Sequence, residues 1–166
     1  MNPNPKQQFL DAYGKEHATT MRVLRAFPTN KRNLQPHPKC KSAAELAWMF
    51  VMEQGMAEKA LTTGFDWTKP PSMPPAPDSM EAIIGALDDG YSRIVGLVQT
   101  QSETQLTETV KFPVAPKTLG DVPRLQLLWF MLCDQIHHRG QFSIYLRMAD
   151  GKVPSIYGPS ADEPWM

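Results

Sequence analysis

The stretch "DQIHHRGQFSIYLRMADGKVPSIYGP" (134–159) decides how this chain reads. Its first half keeps a helical apolar rhythm. Its second half holds Gly151, Pro154, Gly158 and Pro159, which stop a helix and begin an extended tail. Asp134 and His138 stand four apart, so on a helix their side chains share one face. A carboxylate and an imidazole so placed can share a metal ion or pair with each other, and spacing alone leaves both open. His137 points about 100° away from His138 on an ideal helix, outside any such cluster.

Working outward, this helix is expected to start near Asp121, with Pro123 in its first turn, and to run to about Ala149. Gly151 is the expected left-handed residue at its end. It carries two stripes, one of Leu125, Leu128, Trp129, Leu132 and Ile136, the other of Leu127, Met131, Asp134, His138, Gln141 and Tyr145. Three clusters of proline (28–39, 69–79 and 112–123) separate it from three further helical segments. In the first, about 6–27, Leu10, Tyr13, His17, Met21 and Leu24 recur at three- and four-residue spacing. The second opens with "SAAE", where Ser42 and Glu45 can form a capping box, and its stripe is Leu46, Met49, Phe50, Glu53, Ala57 and Leu61. The third, about 79–101, aligns Met80, Ile83, Ile84, Leu87, Tyr91, Ile94, Val95 and Val98.

Four amphipathic helices and no credible strand predict an all-α four-helix bundle with long proline-rich loops and an extended C-terminal tail, one domain over residues 1–166. The stretch 69–79 should cross over or wrap the bundle. The tail, with Ile156, Tyr157 and Trp165, should pack on its own bundle or on a second subunit.

Lys+Arg and Asp+Glu each number 17, and this balance argues against a nucleic-acid or membrane surface. No stretch reaches the roughly 18 apolar residues of a spanning helix, and the N-terminus lacks a secretory apolar region. Cys40 and Cys133 form no CxxC pair, so a cytoplasmic protein with free thiols is expected.

Polar residues interrupt the stripes of two other helices: His17 in the first and Glu53 in the second. With Asp134 and His138 they compose a donor set suited to Zn, Mn, Fe or Ni. Each also has a plain structural reading, His17 as a satisfied core histidine and Glu53 as a helix-edge residue.

The segment "IHHRGQFSIYLRMADGKVPSIYGPSADE" (136–163), together with the four-helix layout, resembles the DinB-like (DinB/YfiT) superfamily. That resemblance implies a bacterial four-helix bundle, often a homodimer. It also implies a divalent metal on three histidines, one from the second helix and two from the fourth at i, i+4. Those positions fall on Met49, Asp134 and His138, so only His138 keeps the family residue. Met49 is a poor ligand for Zn, Ni or Mn, while Asp134 is a competent but different one. A third ligand must come from Glu53, one turn beyond Met49, or from His17. By resemblance the activity is that of a metal-dependent hydrolase or thiol-linked transferase with an altered site. The alternative is a non-catalytic dimeric bundle with a small-molecule cavity and no metal. Met49, Arg139, Gln141 and Tyr145 are the candidate cavity or substrate contacts. Arg139 can equally be a salt-bridged tail anchor, and Gln141 an amide bonded to the tail backbone.

Overall fold

The computed structural model describes residues 4–69 and 74–166. Helix α1 (Pro5–Arg25) is followed by a 3-10 turn at Thr29–Lys31, then α2 (Ala43–Leu61) and α3 (Met80–Thr100). A short α4 (Glu103–Thr107) leads into strands β1 (Thr109–Ala115) and β2 (Thr118–Pro123), and α5 (Arg124–Met148) precedes the tail. The four long helices are the expected ones. Ser42 caps α2 in the expected box, its hydroxyl accepting from the N–H of Glu45 while the Glu45 carboxylate accepts from the N–H of Ser42. Helices α1 and α2 each pack on both α3 and α5, so α1 and α2 stand across one diagonal of the bundle. The chain between α1 and α2, and that between α3 and α5, must each span a diagonal. This accounts for the length of both links.

Three expectations are corrected. The segment 109–123 is not a loop but an antiparallel hairpin, with Val110 opposite Val122 and Phe112 opposite Gly120. Pro113 sits on a strand with no further neighbour, where its missing N–H removes nothing from the ladder, and Lys117 turns the chain with φ 59°. Phe112 meets Phe65 at a tilt and Trp67 and Phe130 edge to face, and Trp67 Nε1 donates to the Lys111 carbonyl, so the hairpin is pinned to the helices. Consequently α5 begins at Arg124, and Pro123 is its cap rather than part of its first turn. At the other end the left-handed residue is Asp150 (φ 62°), not Gly151. The N–H of Asp150 bonds to the Arg147 carbonyl and that of Gly151 to the Leu146 carbonyl, a Schellman closure. Gly151 is glycine for space: a Cβ there would lie 2.2 Å from Leu146 Cδ1.

The core is two apolar clusters separated by a polar layer. One is centred on Phe27, Phe50, Leu87, Phe142 and Leu146. The other is centred on Phe9, Leu61, Ile94, Leu127 and Leu132. The buried polar residues among those described (Thr20, Glu53, Gln54, Gln135 and Arg139) all fall in sequence between the two clusters on their helices. At the α2–α3 contact Gln54 donates to Tyr13 Oη, and Gly90 leaves room for the amide, since a Cβ there would lie 2.0 Å from Gln54 Oε1. The inward face of α5 therefore differs from either expected stripe: Gln135, Arg139, Phe142 and Leu146 are buried with Leu127, Leu128, Met131 and Leu132.

Residues 70–73 of the proline stretch lie outside the described residues. Next to them, Pro74 accepts from Trp48 Nε1, and the carbonyls of Pro77 and Asp78 accept from Arg32. The tail packs on its own bundle. Buried Arg139 binds the Glu16 carboxylate at 2.6 Å, the Glu16 carbonyl at 3.1 Å and Tyr157 Oη at 2.6 Å, and its guanidinium lies over the Tyr157 ring. Further along, Asp162 accepts from Arg147 and from the N–H of Val153, while Glu163 accepts from Arg22 and from the N–H of Ser155.

These contacts hold both carboxyls below their ordinary values, Asp162 chiefly through Arg147 and Glu163 chiefly through the Ser155 N–H. A depressed folded pKa contributes stability above the unfolded pKa and loses it as pH falls through the folded one. The amide resonances of Val153 and Ser155 should therefore hold their positions at neutral pH and move together below about pH 4, while those of α5 stay fixed. Val153 and Ser155 signals unmoved down to about pH 2 would show that the carboxylates do not hold the tail.

Candidate metal centre

Where α2 meets α5, the polar layer reaches the surface through three side chains. Glu53 comes from the core-facing stripe of α2 and is 1% exposed. Asp134 and His138 come from consecutive turns of α5 and are 41% and 17% exposed. His138 Nε2 lies 3.1 Å from Glu53 Oε1 and 3.9 Å from Asp134 Oδ2. One ligand atom from each of the three lies within 4.8 Å of the other two, and among the described residues this is the one group so arranged.

Gln141 completes the cluster. Its Oε1 lies 3.0 Å from His138 Nδ1 and its Nε2 lies 3.0 Å from His137 Nε2. An accepting Oε1 sets the Nδ1–H tautomer of His138 and leaves Nε2, the atom facing both carboxylates, to serve as a ligand. Gln141 is therefore neither bonded to the tail backbone nor simply solvent-facing. It orients both histidines through i, i+3 and i, i+4 spacings that were visible in "HHRGQ".

Burial pushes the Glu53 carboxyl up to about 7, opposed by His138. The contact with Glu53 raises His138 to about 9, opposed by its own burial. The two directions describe one proton on one pair, and at neutral pH we place it on the imidazole, the more basic partner. Despite the 3.1 Å contact, neither Glu53 oxygen receives an aligned hydrogen bond among the described residues. A buried carboxylate that faces an imidazolium without an aligned hydrogen bond is only partly compensated, and a better-placed cation would complete it. Two carboxylates and an imidazole supply two negative charges and hard donors, so the residues present fit a divalent ion.

The other sequence candidates fall elsewhere. His17 is held 2.9 Å from Asp88 and stacked on Tyr91, so the third donor beside Asp134 and His138 is Glu53 rather than His17. The reading of Glu53 as a helix-edge residue is overturned by its burial. Met49 lines a neighbouring groove with Trp48 and Pro74. Arg139 is consumed by Glu16 and Tyr157, which removes it as a substrate contact. Tyr145 and Gln141 do border an open cleft of about 470 Å³ that reaches His138, with Leu46 and Ile144 as its apolar walls.

A model of the DinB family matches residues 1–165. The chain is 26% identical over 157 residues to the uncharacterized protein YrdA of Bacillus subtilis (strain 168), covering 93% of this chain and 89% of that one. Its fold is similar to that of a DinB-like protein from Bacillus cereus ATCC 10987, with TM-score 0.77, 21% identity, and 91% and 97% of the two chains covered. It is also similar to a DinB-like protein (YjoA) from Bacillus subtilis, with TM-score 0.69, 14% identity, and 96% and 99% covered. Among the described residues no helix is long and apolar enough to cross a membrane.

A carboxylate retained for a metal should cost the metal-free fold stability. The double replacement Glu53→Leu with His138→Leu, which removes the whole charged pair, should stabilise metal-free protein by about 1 kcal/mol at neutral pH. Chemical denaturation measures this. A loss of several kcal/mol would instead make the Glu53–His138 pair a structural strut.

Proposed function

The chain belongs to the DinB family, and from that premise we propose a metal-dependent enzyme of the hydrolase or transferase type, with Glu53, Asp134 and His138 as its ligands. The observation that carries this reading is the Glu53 carboxylate, buried with neither oxygen in an aligned hydrogen bond and turned to the same point as His138 Nε2. The donor set is oxygen-rich with one imidazole, which suits Mn and Zn and also admits Ni. Three protein donors leave coordination positions for water or substrate. A divalent ion bound there supplies a Lewis acid that lowers the pKa of a bound water or thiol.

The chain's own residues supply position and exclusion. Gln141 fixes the His138 ring, Phe50 packs edge-on to it, and the burial of Glu53 keeps water from one side of the cluster. The cleft reaches the cluster at His138, the one of the three residues that borders it. The free thiols Cys40 and Cys133 support a cytoplasmic setting.

A second reading, a non-catalytic dimeric bundle that binds a small molecule, is favoured by the cleft itself. Exposed Val114, Leu119 and Phe130 support its dimeric part.

Metal titration separates the two readings. Protein made without an affinity tag, stripped of metal and titrated calorimetrically with Zn²⁺, Mn²⁺ or Ni²⁺, should take one ion per chain. Asp134→Ala and His138→Ala should abolish that uptake, and Met49→Leu should leave it unchanged. Loaded protein should then cleave a chromogenic ester, or transfer a thiol, at a rate that follows metal occupancy. If no ion binds stoichiometrically, the metalloenzyme reading fails and the binding module remains.

A further inference from the structure

The cleft beside His138 has a second end, and it is basic. One of its walls is the loop 28–42, "PTNKRNLQPHPKCKS", which carries Lys31, Arg32, Lys39 and Lys41 and no acidic residue, in a chain of zero net charge. Arg32 is engaged with the Pro77 and Asp78 carbonyls. Lys41 lines the cleft itself and also the adjoining groove of about 250 Å³, and it is the one basic residue of the loop that borders both. Its field reaches Glu45 in the first turn of α2, yet it makes no ion pair among the described residues. The acidic groups Glu53 and Asp134 gather at the opposite, His138 end.

The basic wall is preformed. The N–H groups of Ala43 and Ala44 bond to the carbonyls of Leu34 and Arg32, and Gln35 Nε2 donates to the Cys40 carbonyl. Tyr145 Oη donates to the Lys41 carbonyl at 2.9 Å, tying this rim directly to α5. Between the two charged ends the surface is apolar, with Pro36, Leu46, Ile144 and the Tyr145 ring. A pre-organised apolar trough bordered by a lysine that makes no ion pair among the described residues recognises a molecule with an apolar body and an anionic group.

We propose that the cleft selects a small organic anion. Its apolar body lies along Leu46, Ile144 and Tyr145, its carboxylate, sulfonate or phosphate is drawn to Lys41, and its far end faces His138. Only the last element, which makes the far end the reacting one, rests on the metalloenzyme reading above.

The test compares 8-anilinonaphthalene-1-sulfonate with its uncharged counterpart N-phenyl-1-naphthylamine, by fluorescence, on intact protein in EDTA. The sulfonate should bind one per chain and weaken with added salt, whereas the neutral probe should be insensitive to salt. Lys41→Met, which keeps the apolar stem, should weaken the sulfonate by about fivefold, the size of one partly screened ion pair. It should leave the neutral probe unchanged. Ile144→Asp, at an exposed position that folding tolerates, should weaken both probes. Sulfonate binding that survives Lys41→Met unchanged overturns the proposal, and so does binding of both probes that is indifferent to Ile144→Asp. Because no metal is present, failure of the metal site leaves these outcomes unaltered. Conversely, loss of the anion preference leaves the metal titration standing.

Discussion

A polar layer through the middle of an otherwise apolar bundle is the constraint on which this structure depends. Helices α1, α2 and α5 each bury polar residues between the two apolar clusters, and the helix contacts must supply partners for them or leave polar groups unmet. At α1–α5, Arg139 does so fully, with the Glu16 carboxylate, the Glu16 carbonyl, Thr20 and Tyr157. At α1–α3, His17 meets Asp88 and stacks on Tyr91. At α2–α5, Glu53 meets His138 without an aligned hydrogen bond to either oxygen.

That contrast separates structure from function within one layer. Buried charge is tolerated when every donor and acceptor is matched, and costs several kcal/mol when it is not. Arg139 belongs to the first kind: its two terminal nitrogens are taken by Glu16, Thr20 and Tyr157, and these contacts fasten the tail and α1 to α5. Glu53 belongs to the second, and a proton or a cation can relieve it. The neighbours favour the cation, because Asp134 adds negative charge and Gln141 directs His138 Nε2 toward the carboxylates. The Gln54 Oε1 atom is also unmet, but it belongs to a neutral amide and carries no comparable demand.

Much of this was legible in the sequence wherever a single helix decided the outcome. The α2 stripe from Leu46 to Leu61 placed Glu53 inward, Ser42 and Glu45 marked the helix start, and four-residue spacing joined Asp134 to His138. What the sequence concealed depended on contacts between distant segments. A buried Arg139 looks surface-bound until Glu16 and Tyr157, one on α1 and one in the tail, are brought to it. Strand β1 reads as a proline loop because Pro113 argues against a strand, and only pairing with β2 and packing by Trp67 and Phe130 make it one. Asp150 takes the left-handed position and Gly151 the crowded one beside Leu146, a division that a glycine read by itself as the helix stop does not reveal. The third member of the cluster stayed ambiguous between His17 and Glu53 because helix periodicity fixes a face and not the partner across it.

On the proposed reading, Met49 and Asp134 at positions where the resemblance implies histidine go with a donor set moved one turn along α2 and changed from imidazoles toward carboxylates. X-ray absorption on zinc-loaded protein tests that claim most directly. The account predicts a first shell of nitrogen and oxygen at about 2.0–2.2 Å with a single imidazole and no sulfur. A zinc–sulfur distance near 2.3 Å, or a shell with two or more imidazoles, would contradict it and place the metal on residues other than Glu53, Asp134 and His138.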